Sequence, residues 1–234
     1  MLNIFGSNGI LLQILSKGFL LTGRQIFTAT GANTYTPTAG TAAVLVELIS
    51  GGAGGFNTVN ATAGQLIAAG GGASGAYAAK FIGILPTDTF QAFVGAGGST
   101  SGGTGTPSTF RDNSNNVIIC SAFSGSVGTT ITTGTAEAFG TTGGGNSGSS
   151  IGDVAYDVNI AGLAHRISGS VGISGKGAGG PHGGRPISNI AQGNGTAGGK
   201  YGGGGSGGVS INAGGTSLGG AGGAGIIVVW EFQR

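Results

Sequence analysis

Apolar positions along this chain fall in short runs separated by glycine, serine, threonine and asparagine. Between Val44 and Ile49 they alternate, with Val44, Val46 and Leu48 on one side and Leu45, Glu47 and Ile49 on the other. That predicts a stronger strand than its neighbours, ended by Gly51. Near the end, Ile226, Ile227, Val228, Val229 and Trp230 form an unbroken β-branched run, which reads as a buried strand. Earlier, Ile26 to Thr30 and Tyr35 predict short strands joined by a turn at Gly31-Ala32-Asn33. Residues 75–98 predict a hairpin around Pro86-Thr87-Asp88, and 108–125 a second around Asn113-Ser114-Asn115-Asn116. No segment carries long helical periodicity, so the predicted class is all-β.

Glycine changes this picture. It supplies 57 of 234 residues, about a quarter, against roughly 7% in an average protein. The runs GGAGG at 51–55 and GGGASGAY at 70–77 are bracketed by predicted strands, and the glycine-rich segments GKGAGGPHGGRP and GNGTAGGKYGGGGSGGVSINAGGTSLGGAGGAG lead into the terminal strand. Collagen is excluded: the spacing of three at Gly199, Gly202, Gly205 and Gly208 breaks at Ile211, and there are only five prolines. Disorder is disfavoured because 38% of the chain is hydrophobic and the net charge is only +2. The expectation is a glycine-rich β-framework with packed polyglycine helices of three residues per turn, most of all within 175–225. In such packing peptide groups bond to neighbouring runs and Cα–H···O contacts add to them, because no Cβ holds the backbones apart.

Charge narrows the function classes. Charged residues are 7% of the chain, against about 25% in ordinary soluble domains, which suits a component of a larger assembly. No Lys/Arg cluster exists for nucleic acid. The single cysteine, Cys120 in VIIC, excludes an intrachain disulfide and reads as a small buried hydrophobe. His165 and His182 lack metal-ligand spacing, and the glycine runs lack the lysine of a phosphate loop. No catalytic residue, metal or cofactor is therefore expected, and the chain reads as a non-enzyme. In residues 1–24 no Lys or Arg precedes Lys17, and the apolar stretch Ile10 to Leu21 is interrupted and too short to span a bilayer. That segment, 1–24, is expected to be either an arm that anchors the glycine-rich domain, 25–234, to a partner protein, or a strand or helix packed on its own domain.

Binding is the more productive reading. In a nearly neutral framework, specificity would reside in the rare aromatic and charged groups. The candidates are Tyr156, His165, Arg166, His182, Arg185 and Tyr201. Most lie in two places, the excursion at 151–169, read as a short helix or a loop, and PHGGR at 181–185.

The order of landmarks carries a resemblance. FTATGANTYTPTAGTAAVLVELISGGAGG resembles the opening of the glycine-rich domain of phage and prophage tail-fibre proteins. GGGASGAYAAKFIGILPTDTFQAFVGAGG is similar to that domain's next glycine run and hairpin, and GGAGGAGIIVVWEF to its terminal strand. The resemblance implies a virion protein akin to the distal tail-fibre adhesins of T-even-like phages, which display receptor-contacting loops on a glycine-helix bundle. It implies a host receptor that is a sugar or an outer-membrane protein, other virion proteins docked through the N-terminal arm, and a homotrimer. Those adhesins carry a longer attachment domain than the 24 residues available here. Two other classes stay open: a non-adhesive baseplate, neck or head decoration, and an ice-binding polyglycine protein, which would want flat threonine-rich faces.

Overall fold

The computed structural model describes residues 18–85, 87–131, 134–141, 143, 149–182, 184 and 186–234. In chain order its strands are β1 (Leu20–Phe27), β2 (Gly31–Tyr35), β3 (Ala43–Ile49), β4 (Leu66–Ala68), β5 (Tyr77–Gly83), β6 (Phe90–Val94) and β7 (Ser108–Asp112). They continue with β8 (Val117–Ala122), β9 (Ala138–Phe139), β10 (Val154–Tyr156), β11 (His165–Arg166), β12 (Gly172–Ile173), β13 (Val209–Ile211) and β14 (Ile226–Gln233). The class is all-β, with no helix among the described residues.

Two antiparallel sheets make the main core. One has the order β1-β14-β3-β5-β10 and the other β2-β6-β7-β8. The terminal β14 lies between β1 and β3, pairing Val229 with both Gln25 and Val46. The alternation read in the sequence decides what each face does. Val44, Val46, Leu48, Ala78, Ile227 and Val229 meet Tyr35, Phe90, Phe110 and Cys120 of the facing sheet. Leu45, Ile49, Tyr77, Ala79 and Phe232 form a second cluster with Phe19, Phe81 and Trp230 on the other side. Smaller pairings, β4 with β13 and the three-stranded β12-β11-β9, surround a third cluster of Leu66, Ala68, Ile131, Ala164 and Val209.

Several expectations change. Gly31-Ala32-Asn33 is not a turn but the first half of β2, and the chain reverses just before it at Ala29-Thr30. Residues 75–98 are not a hairpin. β5 pairs with β3 and β10 while β6 pairs with β2 and β7, so the connection carries the chain from one sheet to the other. The second predicted hairpin is present as β7–β8, its turn held by Asp112 accepting from the Ser114 and Asn115 backbone N–H groups. The excursion at 151–169 is neither helix nor plain loop but contains β10 and β11. Of the expected arm at 1–24, Leu20 to Arg24 enter β1; residues 1–17 lie outside the described residues.

Packed polyglycine helices are not among the elements of this fold. The glycine runs lie outside regular helix and strand, because their hydrogen bonds leave the run instead of closing within it. Those bonds follow a rule. From Gly51 onward, Gly51 and Gly54 donate to Thr106 and Gly103, Gly52 and Gly55 to Gly223 and Gly220, and Ala53 and Phe56 to Ala73 and Gly70. From Ala69 onward, Ala69, Gly72 and Gly75 donate to Gly208, Gly205 and Gly202. Gly70, Ala73 and Ala76 donate to Thr129, Ser126 and Phe123, and Gly71 and Ser74 to Gly162 and Asn159. Partners thus recur every third residue, each run being bonded to three others. The runs sit so close that a Cβ on Gly204 would collide with the Gly72 carbonyl oxygen, and one on Gly54 with that of Ser99.

Candidate contact surface

The web supports a small sheet whose two faces are chemically inverted. Along 163–174 the buried positions are Ala164, Arg166, Gly172 and Ser174, and the outward ones Leu163, His165, Ile167, Val171 and Ile173. The inward positions face the third cluster, where Ala164 packs with Leu66, Ala68, Ile131 and Val209 and little room is left for larger groups. A Cβ on Gly172 would meet Leu66 Cδ2 at 2.8 Å and the His165 carbonyl oxygen at 2.7 Å. The branched apolar side chains are consequently turned out to water.

Register assembles these outward groups. His165 pairs with Ile173 on β12 and with Phe139 on β9, so Phe139, His165 and Ile173 form one cross-strand row. Phe139 and His165 stack with ring centroids 4.2 Å apart at 11°. His165 Nε2 lies 3.0 Å from Glu137 Oε1. Leu163, Ile167 and Val171 extend the row, with Phe139 61% and Ile167 54% exposed. Ile187 and Ile190, 75% exposed, flank Asn189, whose carbonyl accepts from the Ser174 N–H as the chain leaves β12. Contiguous exposed apolar faces are where proteins commonly meet their partners, which makes this one the candidate surface.

Arg166 holds the face in place instead of taking part in it. It is 4% exposed; its Nε donates to the Ala136 carbonyl at 2.7 Å and its Nη1 to Leu66 at 3.2 Å, tying β9 and β11 to β4. The absent side chain of Gly134 leaves room for the guanidinium, since a Cβ there would sit 2.8 Å from Nη2.

The remaining sequence candidates scatter. Tyr156 is 51% exposed on β10, at the edge of the five-stranded sheet, with its ring 5.7 Å from that of Tyr77. Tyr201 is half-buried against the second cluster, with a left-handed backbone at φ 62°. His182 is exposed, and Arg185 lies outside the described residues. Of the six candidates, only His165 and Arg166 share one sheet. Phe139, Ile167, Val171 and Ile173 were missed because a search for rare polar groups passes over isoleucine. For Ile167, Val171 and Ile173 the available signal is that each is a branched apolar residue next to small ones, as in Val171-Gly172-Ile173-Ser174; nothing comparable marks Phe139.

Two carboxylates elsewhere are fully engaged. Glu231, 2% exposed at the seam of the sandwich, accepts from Tyr35 Oη, Gln25 Nε2, Thr38 Oγ1 and the Thr38 N–H. Burial pushes its pKa up, yet these donors, Thr38 first, outweigh that and hold it below the usual glutamate value. Burial and the bond to Glu231 push the Tyr35 hydroxyl well above its ordinary range. Glu47 accepts from Tyr77 Oη and Trp230 Nε1, each at 2.6 Å. Neither carboxylate faces an open cleft. No group of three or more His, Cys, Asp or Glu side chains placed to hold a metal occurs among the described residues.

A family profile described as a glycine-rich domain matches residues 28–230. No curated protein matches the chain.

Proposed function

We propose that this chain, which belongs to the glycine-rich domain family through residues 28–230, is a virion protein of the tail-fibre type that attaches a phage particle to its host. The observation that carries the reading is the outward apolar face of β9, β11 and β12, set on a backbone web and pinned by Arg166. Support also comes from the resemblance to tail-fibre sequences and from the near absence of charge. A stiff support matters for adhesion because contact groups that are already ordered lose less entropy on binding. Branched aliphatic groups around one aromatic ring suit a protein receptor on the host surface better than a sugar.

Attachment is tested by replacing Phe139, Ile167 and Val171 with serine together, leaving Arg166 intact. The variant should melt at an unchanged temperature, join particles normally, and lower adsorption to host cells at least tenfold, or ~1.4 kcal/mol before multivalency amplifies it. If particles carrying the variant adsorb normally, the adhesive role is lost. If they fail to assemble, the face serves a neighbouring virion protein and the chain is a structural decoration.

A further inference from the structure

The outer face of the four-stranded sheet carries a second feature, remote in sequence from the β9–β11–β12 face and built from different chemistry. Gln91 on β6 pairs with Arg111 on β7, and Arg111 pairs with Ile118 on β8; in the next row Phe93 pairs with Thr109. Together with Pro107 these side chains line a cleft of about 330 Å³, within the ~300–1,000 Å³ range of small-molecule sites. A bulge helps to shape it. Phe110 pairs with Cys120 but Arg111 with Ile118, so Ile119 is the extra residue; it packs against the main core, while Ile118 stands beside Arg111 and is 46% exposed.

Arg111 is the unexplained group. Its Nε–H is shut off from water and has no hydrogen-bond partner. Its one hydrogen bond is a long one, from Nη2 to Gln91 Oε1 at 3.3 Å. The neighbouring Asp112 is committed to the β7–β8 turn through Ser114 and Asn115. The ion pairs among the described residues, Lys80–Asp153 and His165–Glu137, involve other groups. A half-buried guanidinium is costly without an anion; the covered Nε–H is closed to a ligand, and the Nη side of the fork, beside Gln91 in the cleft, is the part that suits a carboxylate held by two parallel bonds. Gln91 engages Arg111 through its oxygen, which leaves its amide N–H₂ to donate outward. Thr109 adds a hydroxyl, while Phe93, Ile118 and Pro107 supply the apolar wall that packs against the C–H face of a sugar ring.

We propose that this cleft binds a carboxylate-bearing monosaccharide unit, with Arg111 holding the carboxylate, Gln91 and Thr109 the ring hydroxyls, and Phe93 the ring face. The site is independent of the apolar face and of the tail-fibre reading.

The test uses the full chain, isotope-labelled, titrated with D-glucuronate, D-glucose or acetate while backbone amide resonances are followed. Glucuronate should give saturable shifts at Gln91, Thr109, Arg111 and Ile118. Arg111→Gln should weaken binding at least about tenfold, and Arg111→Lys, which keeps the charge but not the fork, should fall between. Thr109→Val provides a second disruption should Arg111→Gln prove unstable, and its predicted effect is also weaker glucuronate binding. Glucose should leave these resonances in place, and acetate should bind more weakly than glucuronate. The proposal is overturned by absent or unsaturable shifts, by equal binding of glucose, or by acetate matching glucuronate, which would mark an adventitious ion only.

Discussion

Glu231 shows how one buried charge can be held without a cation. Its donors come from β1, β2 and the segment after β2, so the carboxylate stitches the edge of one sheet to the other. Gly23 lies opposite, and a Cβ there would sit 2.9 Å from Glu231 Oε2. Glu231→Gln would turn an amide N–H₂ towards groups that can only donate or are already donating. We expect a loss of about 2–3 kcal/mol at neutral pH, seen as a drop in Tm of roughly 5–10 °C. Because the folded pKa is depressed, this stabilisation is complete above the unfolded glutamate value and is lost as pH falls through the folded one. The gap between wild type and variant should therefore narrow in acid; a gap that stays constant with pH would count against a charged Glu231. Cys120 presents the opposite case. Burial pushes its thiol up to about 12, so it should resist alkylation until the protein unfolds.

At the scale of elements, the glycine runs and the strands obey different rules. A strand repeats every two residues and tolerates side chains on both faces; the runs repeat their partners every three and admit only small side chains, such as Ala53, Ala73 and Ser74, among their glycines. Two single substitutions separate close approach from glycine content as such. At Gly204 a Cβ meets the Gly72 carbonyl, whereas at Gly193 nothing lies within 4 Å. Gly204→Ala should cost at least ~3 kcal/mol or prevent folding, because backbone cannot move aside as a side chain can. Gly193→Ala should change stability by no more than ~0.5 kcal/mol, in either direction. Equal melting temperatures for the two variants would show that the web is looser than these contacts require. Legibility also differed by element. β3 and β14 were plain because their apolar residues alternate or run unbroken, but β5 and β6 looked like a hairpin. Adjacent strands bounded by Pro86-Thr87-Asp88 carry no local mark of the sheet each will join.

For the molecule as a whole, the sandwich and the web meet along β3, β5 and β14, whose ends lead directly into glycine runs. Ser50 and Ser108 mark that boundary: Ser108 Oγ donates to the Ile49 carbonyl and accepts from the Gly95 N–H, joining the two sheets where the runs begin. β1 completes the five-stranded sheet by pairing Leu20 to Phe27 with β14, which sets a limit for testing the N-terminal arm. Removing residues 1–17 should leave a domain that folds with an unchanged melting temperature. Under the tail-fibre proposal, with the segment docking on a neighbouring protein, the shortened chain should no longer enter particles. Normal incorporation would refute anchoring.

Read alone, the sequence was enough for the all-β class, the strands β3 and β14, the β7–β8 hairpin and a buried Cys120. Each of these rests on a local pattern of apolar and turn residues. It also marked the glycine runs as ordered, since apolar strands enclose them. Which run bonds to which, and which sheet each strand enters, was decided only by the tertiary structure. A glycine carries no side chain to distinguish one neighbour from another, so the choice is made by strands far away in the chain. The outward apolar face of β9, β11 and β12 was also decided by tertiary packing. That Leu163, Ile167 and Ile173 turn outward while Arg166 turns in follows from what lies beneath them, a cluster around Leu66 that admits Ala164 and Gly172 and carbonyls of Ala136 and Leu66 that hold the guanidinium.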